Sequence, residues 1–351
     1  MQLKPSLMPL SQMLNLPLRQ TLVWFLGILV FSMNAFGQPN ENVSSRYYYI
    51  GTLGKNLAIQ MDISVTGEKV LGHYYYDKVG IPLQLSGNFA EIKEYNPKNR
   101  VTGIFRGTLS PLEKTFEGTW LTPNGKKRLP FKLTKVAEYV FSNTRQGQSL
   151  EVSAAYPDFL SLSLAWQQIN LAVEQSFKKN QSHFMAESRT YHIEEGIRHR
   201  WFQKEVFSIE YYSEELISLL AEISDYSGGA HGNYYYRSHN FSINGDQAVE
   251  LKLADLFLPN YGKVLSDYCL DSLRKQEASS VIDGDLTRLN DEDLGTFSLS
   301  PQGLIIHFAP YAVGSYAEGS FTVMIPYKDL KKVIDPNGSQ PKLKLWTPTQ
   351  S

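Results

Sequence analysis

Cysteine is nearly absent: Cys269 is the only one among 351 residues. That excludes an intrachain disulfide framework. The thiol sits in Leu265-Ser-Asp-Tyr-Cys-Leu-Asp-Ser-Leu273, among apolar neighbours at helical spacing, and reads as a buried structural cysteine. An excess of one charge is lacking too. The net charge is −1 at pH 7, where a nucleic-acid binder would be basic overall. The recognised catalytic spacings are missing: no glycine-rich phosphate loop opens a helix, and there is no Gly-x-Ser-x-Gly elbow and no His-Glu-x-x-His. The histidines offer no metal set. His192 and His199 are seven apart, and His231 and His239 eight apart, too far along a strand to share an ion. No metal and no cofactor are expected.

Long apolar runs are confined to Leu22-Val-Trp-Phe-Leu-Gly-Ile-Leu-Val-Phe31, shorter than the roughly 20 residues of a membrane span. Ala35-Phe-Gly37 then places small residues where a signal peptidase reads them, with Gln38 as the new N-terminus. Residues 1–37 are therefore expected to be a bacterial secretory signal, and the protein to be periplasmic or secreted. No membrane span would be left after cleavage; the alternative is a retained anchor. No cysteine follows the run, so a lipoprotein is not expected.

The remaining length suits two domains on a prior of about 150 residues each. Aromatics make up 13% of the chain, with 21 tyrosines, which suits β-structure and also binding surfaces. From Arg46 to Val136 short strands follow one another. Leu57, Ile59, Met61, Ile63 and Val65 alternate with period two, a turn follows at Thr66-Gly-Glu-Lys69, and Val70–Tyr76 completes a hairpin. Gly72-His-Tyr74, Gly103-Ile-Phe105 and Gly118-Thr-Trp120 repeat a glycine two residues before an aromatic. In strands such glycines mark bulges or tight bends. The pattern predicts an antiparallel meander closing into a small barrel, similar to the avidin- or lipocalin-like barrels of exported bacterial proteins. Its interior is expected to hold its own side chains; a ligand cavity is the alternative.

Residues 137–149, centred on Ser142-Asn-Thr-Arg-Gln-Gly-Gln-Ser149, read as a linker. Beyond it the spacing predicts helices over Ser163–Asn180 and Tyr261–Gln276, the latter with Val264, Leu265, Tyr268 and Leu273 on its core face. Strands are predicted over Trp201–Tyr212, Leu216–Ile223, Tyr234–Ile243, Val249–Leu253, Thr296–Phe308 and Ser320–Pro326, while 182–200 fits helix or loop. The expected fold is two domains: an N-terminal all-β antiparallel small barrel or meander (46–136), and a C-terminal α+β domain (150–334) with an antiparallel sheet and two main helices. A flexible tail (335–351) follows.

Two stretches stand out as binding candidates. Tyr226-Ser-Gly-Gly-Ala-His-Gly-Asn-Tyr-Tyr-Tyr236 has glycines between two strand-like runs, which need positive φ or close backbone approach. The loop 309–319 carries Pro310, Tyr311, Tyr316 and Glu318 beside Gly314 and Gly319; it fits a binding surface or a cover for the core equally. Gly228, Gly229, His231, Tyr235, Pro310, Tyr311, Tyr316 and Glu318 are the candidate binding residues; no catalytic residue is assigned. Asp283, Asp285, Asp291, Glu292 and Asp293 crowd one segment without the EF-hand pattern, and read as a solvated acidic loop able to meet a basic partner.

The order and spacing of Gly228-Gly-Ala-His-Gly232, Asn240-Phe-Ser-Ile-Asn-Gly245, Leu253-Ala-Asp-Leu-Phe257, Gly303-Leu-Ile-Ile-His-Phe308, Tyr316-Ala-Glu-Gly319 and Ile325-Pro-Tyr327 resemble the extracytoplasmic domain of the RsiV anti-sigma-factor family. That domain also occurs beside the catalytic domain of some peptidoglycan deacetylases. The likeness spans about Tyr156 to Val333. It implies an envelope binding module without catalysis of its own, with lysozyme or peptidoglycan as partner. Only a short segment precedes the apolar run, so sigma-factor regulation is not expected, and the deacetylase signature is missing. The expectation is an exported cell-envelope binding protein. The alternatives are a glycan hydrolase using His231 with Asp225 or Asp246 as an acid–base pair, and a small-ligand carrier using the barrel.

Overall fold

A computed structural model describes residues 44–147, 149–190 and 200–335. The expected signal 1–37, His192, His199 and the tail beyond 335 lie outside the described residues. Within them no helix is long and apolar enough to cross a membrane.

The N-terminal unit is an eight-stranded antiparallel barrel: β1 (Ser44–Leu53), β2 (Leu57–Thr66), β3 (Lys69–Tyr76), β4 (Leu83–Asn88), β5 (Glu91–Tyr95), β6 (Val101–Thr108), β7 (Thr115–Leu121) and β8 (Arg128–Gln146). Each strand pairs with the next, and β1 pairs with β8 to close the ring. Closure removes the free edges a sheet otherwise exposes. The interior is filled by Tyr49, Met61, Ile63, Tyr74, Phe105 and Phe131 with their neighbours, so side chains rather than a ligand are its content. Ile59, Met61, Ile63 and Val65 point inward as their period predicts; Leu57, at the strand end, is 42% exposed.

The repeated glycines serve close approach. A Cβ on Gly72 or Gly118 would lie 2.1 Å from a carbonyl oxygen of the neighbouring strand. One on Gly103 would lie 2.3 Å from Trp120 Nε1 and 2.4 Å from Glu94 Oε2. That space lets the buried Glu94 carboxylate accept from Trp120 Nε1 (2.9 Å), Tyr74 Oη (2.6 Å) and Thr102 Oγ1. The bulges themselves fall at Tyr48/Tyr49 and Glu94/Tyr95, not at these glycines.

The expected linker is instead a strand. β8 runs 19 residues, pairing with β7 and β1 through its first half and with β9 (Leu150–Phe159) through Ala137–Gln146. Its second half has loop-like composition because only Ala137 and Tyr139 are buried there, while its backbone pairs with β9 along one edge. From β9 the chain crosses through α1 (Leu164–Thr190) to β10 (Trp201–Tyr212), which lies parallel to β9. A parallel pair requires such a crossover. β11 (Leu216–Tyr226), β12 (Asn233–Asn244) and β13 (Gln247–Glu250) extend the sheet antiparallel. α1 exceeds its expected end at Asn180; it covers one sheet face with Ala165, Trp166, Ile169 and Val173.

The opposite face carries the C-terminal layer: α2 (Tyr261–Lys275), the short α3 (Ser279–Ile282), a three-stranded sheet of β14 (Phe297–Leu299), β15 (Gly303–Phe308) and β16 (Phe321–Pro326), and α4 (Tyr327–Leu330). α2 buries Leu265, Cys269 and Leu273, but Val264, expected in its core face, is 37% exposed. Burial pushes the Cys269 thiol up to about 12, which keeps it protonated and unreactive. The outer edge of β14 is satisfied by side chains of the large sheet. Phe297 N–H donates to Ser238 Oγ (3.1 Å), Asn240 Nδ2 donates to Phe297 O (2.9 Å), and Leu299 N–H donates to Ser218 Oγ (2.9 Å).

The barrel docks on β10 through polar groups. Gln60 Oε1 accepts from Tyr48 Oη, Tyr75 Oη and Tyr212 N–H, while its Nε2 donates to Tyr212 O at 2.9 Å. Arg46 forms a two-bond pair with Asp62 (2.8 and 2.7 Å), reaches Phe207 O at 3.1 Å and lies over the Tyr139 ring. Burial works against the Arg46 charge, but Asp62 beside it keeps the guanidinium firmly protonated. Asp62→Ala would strand that cation and should cost about 3–5 kcal/mol in urea unfolding. Arg46→Met combined with Asp62→Leu should recover most of the loss, and a double variant no better than the single would show that the pair does not act as a unit.

Candidate functional site

The hairpin between β11 and β12 and the loop between β15 and β16 meet at one end of the large sheet. Gly228 (φ +101°) and Gly229 (φ +95°) turn the hairpin, with open space where a Cβ would be; conformation, not crowding, calls for glycine there. Tyr226 Oη donates to Gly229 O (2.9 Å) and braces the turn. His231 Nδ1 lies 2.8 Å from Gly232 O. A carbonyl only accepts, so Nδ1 carries the proton. The imidazole stacks on Tyr316, centroids 4.0 Å apart and planes 22° apart, and Tyr316 Oη donates to Gly232 O at 2.7 Å. Tyr311 follows, its ring 5.5 Å from that of Tyr316. It is 61% exposed and has φ +70°, a left-handed conformation that a bulky side chain rarely adopts.

Glu318 clasps this loop to the start of α3. Its carboxylate accepts from Ser279 N–H (2.9 Å), Ser279 Oγ (2.6 Å), Ser315 N–H (2.7 Å) and Ser315 Oγ (2.7 Å). Those donors, Ser279 first, hold the acid down at about 2. Asp283 N–H donates to Ser279 O (2.9 Å) and Leu286 N–H to Ser280 O (2.8 Å), so the clasp sets the aromatic loop beside the exposed Asp283 and Asp285. Asp291, Glu292 and Asp293 are exposed too, but Asp291 lies beside Gly262 at the start of α2.

Gly228, Gly229, His231, Tyr311, Tyr316 and Glu318 thus converge, whereas Tyr235 and Pro310 do not join their surface. Pro310 is buried. Tyr235 points to the α1 face and packs with the core there, because alternate residues of a strand face opposite ways. Tyr234 and Tyr236 are the tyrosines on the loop side: Tyr236 Oη donates to Ser320 Oγ at 3.0 Å, and Tyr234 Oη lies against Gly319. Phe241 and Ile243, apolar and of the same parity as Tyr235, carried that signal. Ser279 and Ser315 were also missed, since nothing local to either marks a partner so far along the chain. The envisaged acid–base pair of His231 with Asp246 is not formed, for Asp246 lies beyond the far end of the twelve-residue β12, about 40 Å away at about 3.3 Å per residue. Among the described residues His231 makes no ion pair with Asp225 either. Nor is any group of three or more His, Cys, Asp or Glu side chains among them placed to hold a metal ion.

A family model described as "Protein of unknown function (DUF3298)" matches residues 254–328, and one described as "Deacetylase PdaC" matches residues 144–234. No curated protein matches the chain. A crystal structure of a DUF3298 family protein from Pseudomonas aeruginosa is 17% identical, with 57% of this chain and 94% of that chain covered and a TM-score of 0.45. One from Bacteroides fragilis is 19% identical over the same shares, with a TM-score of 0.40. The aromatic cluster straddles the two matched regions: His231 falls in residues 144–234 and Tyr311, Tyr316 and Glu318 in residues 254–328.

A carboxylate held at about 2 stabilises its clasp fully above its ordinary value of 4.5 and loses it as pH falls through about 2. The Ser279 and Ser315 amide resonances should therefore titrate with a midpoint near 2. A midpoint at the ordinary carboxylate value would mean that the clasp is open in solution.

Proposed function

We propose that the surface formed by His231, Tyr316 and Tyr311 binds a basic, lysozyme-type muramidase in the bacterial cell envelope, with the acidic segment that begins at Asp283 and Asp285 at its flank. One observation carries this reading: Glu318 ties an exposed aromatic ladder to Ser279, from which the chain turns directly into the exposed carboxylates of Asp283 and Asp285. Tyrosine is enriched in protein interfaces, and a half-buried Tyr316 beneath an exposed Tyr311 gives a rigid anchor at low entropic cost. The carboxylates add steering toward a basic partner. The sequence resemblance to lysozyme-binding ectodomains and the signal-like first 37 residues support the same setting, a periplasmic or secreted protein. The match to the "Deacetylase PdaC" description supports an envelope context as well.

Calorimetric titration of the chain from Gln38 onward with a c-type lysozyme tests the proposal. Micromolar or tighter binding is expected, weakening as salt rises. Tyr311→Ala should weaken it about tenfold or more, as loss of an interface anchor does. No binding at high concentration would sink the reading, and binding of peptidoglycan fragments instead would reassign the surface to glycan.

A further inference from the structure

On the opposite face of the large sheet, beneath α1, a serine, a histidine and a carboxylate stand in one hydrogen-bonded line. Ser176 lies on α1, His239 on β12, and Glu250 ends β13. Ser176 Oγ is 3.1 Å from His239 Nε2, and His239 Nδ1 is 2.6 Å from Glu250 Oε1. Neighbours fix the direction of each bond. The carboxylate accepts, so Nδ1 carries the proton and Nε2 is the basic nitrogen. Arg237 Nη1, 3.0 Å from Ser176 Oγ, can only donate. The serine hydroxyl is left to give its own proton to Nε2. This is the arrangement of a nucleophilic serine with a general base and an orienting carboxylate.

The surroundings suit that role. Phe207 and Phe241 lie beside the imidazole, 6.1 and 6.2 Å between centroids and 19° and 7° from parallel, which fixes its plane. The base is shielded, with His239 only 9% exposed, while Ser176 is half-buried. Arg237 is held by Glu205 at 3.2 Å, whose other oxygen accepts from Asn180 Nδ2 at 2.9 Å. The backbone amides of α1 are committed to the helix, so Arg237 is the donor nearest an oxyanion forming on an acyl group at Ser176. Ala172 and Asn180 stand one helical turn away on either side of Ser176, and a short acyl group asks for the least space between them. His239 and Glu250 lie between the two matched regions.

We propose that Ser176, His239 and Glu250 form a hydrolytic site for short O-acyl esters. Ser176 Oγ bonds the acyl carbon as its proton passes to His239 Nε2. The ester C–O bond breaks, and the departing alcohol takes that proton. His239 then takes a proton from water, whose oxygen bonds the acyl carbon. The bond to Ser176 Oγ breaks, the serine recovers the proton, and a carboxylic acid leaves.

The test treats the whole chain with a fluorophosphonate probe, in which an O–P bond forms to the serine and fluoride departs, and follows p-nitrophenyl acetate hydrolysis alongside. Mass spectrometry should place the adduct on Ser176, and Ser176→Ala should abolish it. His239→Gln should slow hydrolysis about 100-fold or more and remove the rise of rate with pH; Glu250→Gln should act in the same direction. Thermal melts establish that each variant is folded. An adduct on another residue, no adduct, or equal hydrolysis by the native chain and folded Ser176→Ala overturns the proposal. If Ser176→Ala does not fold, the position of the adduct on the native chain decides alone.

Discussion

β12 is packed on both faces, and its pleat decides what each face holds. Tyr234, Tyr236, Ser238 and Asn240 turn toward the C-terminal layer; Tyr235, Arg237, His239 and Phe241 turn toward α1. The first set closes the aromatic loop and satisfies the edge of β14. The second builds the line from Arg237 through Ser176 and His239 to Glu250. A slip of one residue would exchange the sets, pressing Asn240 into the apolar layer under α1 and leaving Phe297 N–H and C=O unpaired beneath the C-terminal layer. Unpaired buried backbone groups cost about 1–3 kcal/mol each, so the register is strongly specified. The glycine turn at 228–229, which brings Asn233 opposite Asp225, sets that register locally.

The barrel contributes to the same sheet from outside. A polar interface between two units is costly unless its groups are satisfied. Here Gln60 behaves like one more residue of a ladder, donating to and accepting from the backbone of Tyr212. Arg46 reaches the carbonyl of Phe207. β10 is thereby fixed at two points five residues apart, and the Phe207 side chain flanks the imidazole of His239. Because β8 passes without interruption from barrel to sheet, the two units share a backbone ladder as well as this contact, and the barrel can act as a buttress for β10.

Much of the architecture was legible because it rests on local patterns. Period two in 57–65 gave the inward face of β2, and helical spacing gave α1 and α2. The linker at 137–149 misled because exposed edge strands and loops share a polar composition; only the partner β9, brought alongside by the fold, distinguishes them. The two candidate loops were legible through their glycines and tyrosines, and the structure does bring them together. Tyr235 shares the parity of the apolar Phe241 and Ile243, and so lies on the α1 face rather than beside the two loops. Ser176, His239 and Glu250 were not legible at all: they come from three elements, and the serine stands 63 residues from the histidine with no motif around it.

Three histidines show why placement rather than residue type decides chemistry. His231 is exposed, and its Nδ1 proton is spent on a backbone carbonyl; among the described residues no carboxylate orients it, so it serves as a stacking plate for Tyr316. His307 also faces a serine, Ser298 Oγ at 2.8 Å, but burial pushes it down to about 3. Among the described residues no carboxylate hydrogen-bonds it, so charging it during proton transfer would place a bare cation in the core. His239 alone of the three combines a serine on one nitrogen, a carboxylate on the other and apolar rings beside it. Glu250 is half exposed, so the imidazolium formed in a proton transfer would have both a counter-charge and contact with water. The serine–histidine bond is common to His307 and His239; the compensating charge is what separates a structural pair from one able to move a proton.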